Sequence, residues 1–236
     1  MGKQEKIVSM FDEIAGTYDV ANRVLSMGID KTWRNKACNL AYSFYEKKSL
    51  DKIIDVACGT GDMIDYWQKT AKKAKVEIKN IVGVDPSVGM MEVAKKKLPD
   101  VEFIESGAAS MPFEEGIADI ISISYGIRNV VERQKAFDEF ARVLKKDGLL
   151  VILEFTKNPK ESLLDHVTDF YMNKVLPKIG GLISKNKEAY TYLPNSIDEF
   201  LTTQNLCNEL KLAGLEPIYV KGFSMNISTL FIAKKL

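Results

Sequence analysis

Short apolar runs at 53–57, 81–84, 101–104, 117–124 and 149–155 alternate with stretches of helical spacing at 62–73, 88–98 and 132–144. The runs are rich in β-branched residues and lack polar alternation, the pattern of strands buried on both faces. The stretches between them carry charged outer faces. Ser87 reads as an N-cap for the second and Gly148 as a turn after the third. Strands that alternate with helices join as right-handed βαβ units, which predicts an open parallel sheet covered by helices on both sides. Ligands of such sheets bind at the carboxyl ends of the strands.

At the end of the first run the chain reads Asp55-Val56-Ala57-Cys58-Gly59-Thr60-Gly61. Two closely spaced glycines between a strand and a helix let a ligand approach bare backbone and meet helix N-terminal N–H groups. Asp85 closes the second run, where an acid accepts the hydroxyls of a ribose. The nucleoside is not dinucleotide-like: Ile64 stands where a third glycine would pack against a pyrophosphate site, and no Gly-Lys-Ser/Thr follows. Asp55, just before the turn, repels a pyrophosphate and attracts a cation. S-adenosylmethionine has a ribose, an ammonium, a sulfonium and no phosphate, and so suits Asp55, Cys58, Gly59, Gly61 and Asp85 better than NAD.

The chain has 236 residues, 46% of them hydrophobic, enough for one domain with a sizeable core. Its 33 Lys and Arg against 32 Asp and Glu give no global field to hold nucleic acid. Cys38, Cys58 and Cys207 fit neither zinc spacing nor a disulfide framework, so no metal is expected and a reducing, cytoplasmic setting is. No stretch reads as a signal peptide or a membrane span.

Segments outside the alternating core complete the plan. Residues 11–40 read as helical and aromatic. An insertion at 163–193 carries Leu163, Leu164, Val167, Phe170, Tyr171, Val175 and Ile179 near helical spacing, interrupted by Pro177 and Gly180-Gly181. It is placed to roof the pocket, and its apolar stripe suits packing or a bilayer interface. Residues 197–212 read as one helix closed by Gly214. Runs at 217–221 and 229–233 then suggest an antiparallel pair at the sheet edge. The organisation expected is a single domain: a helical cap at 1–48, a cofactor-binding core at 49–156, a lid at 157–196, and a final helix with two strands at 197–236.

Several segments carry a resemblance. Phe11-Asp12, Ile14-Ala15, Tyr18-Asp19, Asn22, Ser26, Gly28-Ile29-Asp30 and Trp33-Arg34, in that spacing, resemble the N-terminal signature of the ubiquinone/menaquinone biosynthesis C-methyltransferases. Tyr125-Gly126-Ile127-Arg128-Asn129-Val130 is similar to that family's second signature. Glu154-Phe155-Thr156 and the Tyr190-x-Tyr192-Leu193-x-x-Ser196-Ile197 segment are similar to further family segments. The resemblance implies the class I S-adenosylmethionine-dependent methyltransferase fold, Rossmann-like, with a mostly parallel seven-stranded sheet. It implies methylation of a ring carbon in a polyprenylated quinol: demethylmenaquinol, or a ubiquinone precursor such as 2-methoxy-6-polyprenyl-1,4-benzoquinol. By motif position Thr60, Asp85, Gly107, Ala108 and Ser124 line the cofactor site, and Asn22, Tyr125, Tyr190 and Tyr192 contact the acceptor. Two departures stand out. Ser106-Gly107-Ala108-Ala109 replaces the usual Asn-Ala-Glu, which turns a side-chain contact to adenine into a backbone one. Asp198-Glu199 replaces a basic pair. Peripheral contact with the inner face of the membrane is implied by a lipid substrate, a homodimer is compatible, and no nucleic-acid partner is expected.

Methyl transfer to carbon needs an electron-rich ring, which a quinol becomes when a neighbouring hydroxyl loses its proton. Arg128 stays charged and carries a fork of donors suited to a phenolate oxygen. Asn129 can orient the same hydroxyl. Tyr18 and Asp19, and Tyr190 and Tyr192 of the inserted segment, are candidates for the base, whereas His166, the sole histidine, lies outside the signatures and reads as a packing or surface residue. Three other readings compete: a different small-molecule or tRNA methyltransferase of the same fold, a cofactor-binding scaffold without turnover, and a nicotinamide oxidoreductase.

Overall fold

A computed structural model of the chain describes residues 2–157, 187–224 and 226–236, and at 187–190 the backbone alone. Two helices come first, α1 (Lys3–Leu25) and α2 (Ile29–Tyr45). Then follow β1 (Ser49–Val56), α3 (Asp62–Ala74), β2 (Glu77–Asp85), α4 (Val88–Lys97), β3 (Glu102–Glu105) and β4 (Ala118–Ser124). A 3-10 turn (Ile127–Asn129) leads to α5 (Arg133–Val143) and β5 (Leu144–Glu154). After residues 158–186 come α6 (Lys187–Asp198), α7 (Thr203–Leu212), β6 (Leu215–Phe223) and β7 (Ser228–Lys235).

The seven strands form one sheet in the order β3-β2-β1-β4-β5-β7-β6. β1 to β5 run parallel, while β7 pairs antiparallel with both β5 and β6. The expected mostly parallel sheet with an antiparallel edge pair is what forms. Strand order reverses between β1 and β4, since β2 and β3 extend to one side and β5 to the other. The crevice above that switch point is where a sheet of this kind takes its ligand.

Local chemistry sets the element ends. Gly61, at φ +79°, turns the chain from the glycine loop into α3, and a Cβ there would meet Leu98 Cδ1 at 2.9 Å. Asp62 and Asp65 sit in the first turn of α3 and Lys72 and Lys73 in the last, which complements the helix dipole. Ser87 caps α4 through Met90 N–H (3.2 Å), as its position predicts. Gly28, at φ +75°, breaks the N-terminal helical segment into α1 and α2.

The tail differs from the single helix read at 197–212. α6 ends at Asp198, and Thr202 starts α7 by accepting the Asn205 N–H (3.3 Å). Phe200 is buried between them among residues of the second core layer, so packing of that side chain interrupts the helix. The helix predicted through Leu144 also ends one residue early. β5 starts there and carries a register shift before it resumes at Leu149.

Apolar side chains fill both faces of the sheet. Trp33, Tyr42, Trp67 and Ile64 of α2 and α3 pack on one face. Phe137, Phe140 and Leu206 of α5 and α7 pack on the other. α1 lies across α4, burying Ile14, Ala15 and Leu25 with Met90. The insertion stripe and His166 lie outside the described residues.

Candidate active site

A cavity of about 520 Å³ opens over the carboxyl ends of β1, β2 and β4. That volume lies within the range of small-ligand sites. Two non-glycine residues at its floor take left-handed backbone conformations, Ala57 (φ +49°) and Tyr125 (φ +58°). Such conformations cost energy and cluster at functional sites. Gly126 follows from the same geometry: a Cβ there would lie 2.6 Å from Ala57 Cβ, so the two strand ends close on each other only without it.

Backbone at Gly59 and Gly107 lines the cavity, and a Cβ on either would meet no atom within 4 Å. Main chain is thus offered bare to a ligand. Ser124 Oγ, also in the lining, is buried and has no hydrogen-bond partner among the described residues. A buried unpaired hydroxyl is costly unless a ligand satisfies it.

Asp85 stands at the end of β2 with its carboxylate fixed from below. Gly59 N–H donates to Oδ2 (2.8 Å) and Ser87 N–H to Oδ1 (2.8 Å). Each oxygen keeps a lone pair for a hydroxyl, the arrangement that holds a ribose diol. Burial pushes this carboxyl up to about 6, against the two N–H donors that favour its charge.

Asp55 lies behind the turn rather than in the cavity lining. Burial pushes it up to about 7, opposed by the Ser122 hydroxyl and by Arg34. An acid that keeps its proton to about pH 7 in the fold but ionises near 3.8 in the unfolded chain contributes stability that is full below about pH 4. That stability is lost as pH rises towards 7. Asp55→Asn is therefore expected to stabilise the ligand-free protein at pH 8 by about 2 kcal/mol, roughly 4–8 °C in melting temperature, and to change nothing at pH 4. Paired thermal melts at the two pH values check it; equal shifts at both would refute it.

The opposite wall carries the signature residues. Tyr18 of α1 lines the cavity, with the Asn22 side chain of the same helix beside its hydroxyl. Burial raises its pKa, with Arg128 and Arg34 opposing, so it remains a neutral donor at ordinary pH. Asn129 also lines the cavity; its Oδ1 accepts the Tyr192 hydroxyl (2.9 Å) and its Nδ2 leans on Tyr125 O (3.4 Å). Arg128 is turned inward. Its guanidinium is 6% exposed and bonds Glu154 Oε1 (2.6 Å), Tyr125 O (2.7 Å) and Ser196 Oγ (3.2 Å).

Of the residues singled out from sequence, Gly59, Asp85, Gly107, Ala108, Ser124, Tyr18, Tyr125 and Asn129 meet in this cavity. Asp55, Cys58, Thr60, Gly61, Asp19, Asn22, Arg128 and Tyr192 stand outside its lining. Asp19 accepts from Thr60 Oγ1 (2.6 Å) and Lys97 Nζ (2.7 Å), which ties α1 to the glycine turn. The Tyr190 side chain lies outside the described residues. Sequence reasoning missed the N-terminal turns of α1, whose Gln4, Ile7 and Phe11 form a wall. It also missed Asp12, which accepts from Ser87 Oγ (2.6 Å) and Gly89 N–H (2.8 Å) and so holds that wall to α4. An acid inside a stretch of helical spacing offers no local sign that it caps a different helix.

The model of the ubiE/COQ5 methyltransferase family matches residues 1–235. The chain belongs to the ubiE/COQ5 methyltransferase family. It is 60% identical, over all 236 residues of both chains, to a protein of Campylobacter jejuni (strain 81-176) named ubiquinone/menaquinone biosynthesis C-methyltransferase UbiE. It is 37% identical to the demethylmenaquinone methyltransferase of Chlorobaculum tepidum, over 98% of this chain and 93% of that one. Among solved structures it is similar to an S-adenosylmethionine-dependent methyltransferase of Thermotoga maritima described as a possible histamine N-methyltransferase. There the TM-score is 0.64, with 18% identity and coverage of 98% of this chain and 100% of that one. This last likeness carries the class I methyltransferase fold alone. The family member described here is a methyltransferase, and among its described residues no helix is long and apolar enough to cross a membrane.

Proposed function

We propose that the chain binds S-adenosylmethionine in the strand-end cavity and methylates a ring carbon of a polyprenylated quinol. Demethylmenaquinol is the acceptor we favour, with 2-methoxy-6-polyprenyl-1,4-benzoquinol as a second. The observation that carries the reading is the pairing of Asp85, held by two N–H groups and free to take a diol, with the bare backbone of Gly59 beside it. Family membership and the names of the relatives support the acceptor class.

When bound, the donor supplies an electrophilic methyl group. Asp85 would take the ribose hydroxyls, the bare backbone of Gly59 and Gly107 would let the ligand approach closely, and Ser124 Oγ would gain the partner it lacks among the described residues. Tyr18 donates to a quinol oxygen, and the Asn129 amide orients the hydroxyl whose proton must leave. Arg128 acts as a positioning residue, because its guanidinium is engaged with Glu154, Tyr125 and Ser196 and fixes the turn that presents Asn129. Holding two reactants in line supplies much of the acceleration for such a transfer. With its lipid-tailed acceptor the enzyme works in the cytoplasm at the membrane's inner face.

Labelled S-adenosylmethionine incubated with the protein and reduced demethylmenaquinone should yield labelled menaquinone. No transfer to either quinol class would reject the proposal. Tyr192→Phe, which removes the hydroxyl that fixes the Asn129 amide, is expected to lower kcat about tenfold and to leave S-adenosylhomocysteine affinity unchanged. Equal loss of both would place Tyr192 in cofactor binding instead.

A further inference from the structure

Three groups outside the cavity lining form a chain of hydrogen bonds that ends on Asp55. Trp67 Nε1 donates to Ser122 Oγ (2.9 Å), and Ser122 Oγ donates to Asp55 Oδ1 (2.6 Å). Trp67 and Ser122 are fully buried and Asp55 nearly so. The register explains the meeting: Asp55 and Ser122 are direct neighbours on the parallel strands β1 and β4, so their side chains leave the sheet on the same face. On that face Trp67 of α3 packs over them. A hydroxyl that accepts from an indole can only point its own hydrogen elsewhere, and here it points at the carboxylate.

We infer that Ser122 and Trp67 are positioning residues for Asp55: the fixed hydroxyl favours the ionised form of the carboxylate behind the glycine turn, and that charge favours the cationic amino-acid end of the bound cofactor. The inference rests on the cofactor reading above and deepens it. Burial works against a charge at this place, and the relay works for it. A hydrogen bond from a buried hydroxyl to an ionised group is among the stronger kind.

The other groups that face Asp55 do not replace the relay. From α2 come Arg34, which favours the charge, and Cys38, whose thiol burial holds well above its ordinary range and so neutral. Arg34 is itself paired with Asp30 at 2.6 Å, which divides its field. From α3 comes Asp62, which opposes the charge and is bound to Lys97 (2.8 Å) and to Arg23. From β2 comes Asp85, which also opposes it. Cys58, in the turn itself, is likewise kept neutral by burial. The Ser122 hydroxyl, fixed by Trp67, is therefore the one hydrogen-bond donor on the Asp55 carboxylate among the described residues and the first force that offsets its burial.

The test is calorimetric titration of S-adenosylhomocysteine, which keeps the ammonium, from pH 5.5 to 9. The wild-type protein should bind more weakly as pH falls through about 7. Ser122→Ala should move that midpoint upward by about one pH unit, weaken binding several-fold at pH 7.5 and leave binding at pH 9 near wild type. Trp67→Phe keeps the buried ring, loses the indole donor and should move the midpoint the same way by less. Asp55→Asn should abolish the dependence near pH 7. A cooperatively melting Ser122→Ala protein with an unmoved midpoint would overturn the inference. Should Ser122→Ala fail to fold, Trp67→Phe decides on the same terms. A wild-type protein that binds no S-adenosylhomocysteine at any pH would instead reject the cofactor reading, and the relay with it.

Discussion

Arg128→Ala is expected to destabilise the protein by about 3–5 kcal/mol, the largest effect of any single substitution in the site. Glu154 is fully buried, and its carboxylate depends on Arg128 for a 2.6 Å ion pair. Burial raises the Glu154 pKa and the guanidinium is the first force that lowers it. Alanine would strand that charge and also free Tyr125 O and Ser196 Oγ, which the guanidinium ties together. Urea unfolding should show a markedly lower midpoint for Arg128→Ala. Adding Glu154→Gln should recover part of the loss, because the stranded charge is then gone. An Arg128→Ala protein of wild-type stability that binds S-adenosylhomocysteine normally but no longer turns over would show that the guanidinium acts on the acceptor directly. The sequence made that second outcome attractive, since a cation beside Asn129 at a strand end looks like a phenolate clamp. Glu154, the last residue of β5 after the apolar run Leu149–Leu153, gave no sign that it would take the guanidinium inward.

The contrast shows what kind of information a linear chain carries. Strand positions, the glycine turn and Asp85 were legible because their signals are local: β-branched runs, φ-permissive residues, an acid at a strand end. The ends of β5 and the break between α6 and α7 were not, because a register shift and the burial of Phe200 are settled by packing across the sheet. The left-handed backbone at Ala57 and Tyr125 left no trace either, since neither residue type favours it. The same holds for the wall built from the first turns of α1. Gln4 reaches the Val131 N–H (3.0 Å) and Asp12 reaches α4, contacts between parts of the chain more than seventy residues apart.

Asp85→Asn is expected to weaken S-adenosylhomocysteine binding by roughly 100-fold or more while leaving the protein folded. The carboxylate offers acceptors on both oxygens, and Gly59 and Ser87 already use one site on each. An asparagine keeps one acceptor and sets its amide hydrogens against a backbone N–H and a ribose hydroxyl. Hydrogen bonds to a charged group contribute about 1.5–3 kcal/mol each, so losing the hold on two hydroxyls accounts for about 3 kcal/mol, which is two orders of magnitude in affinity. Stability should change little, because the substitution also removes a charge that burial disfavours: the carboxyl is pushed up to about 6. A ligand comparison separates the ribose contact from general damage. Wild-type protein should lose about tenfold in affinity when the 2′-hydroxyl of the nucleoside is replaced by hydrogen, and Asp85→Asn should be indifferent to the change. If the variant discriminates against the deoxy ligand as strongly as wild type does, the diol is held elsewhere and the assignment of Asp85 falls.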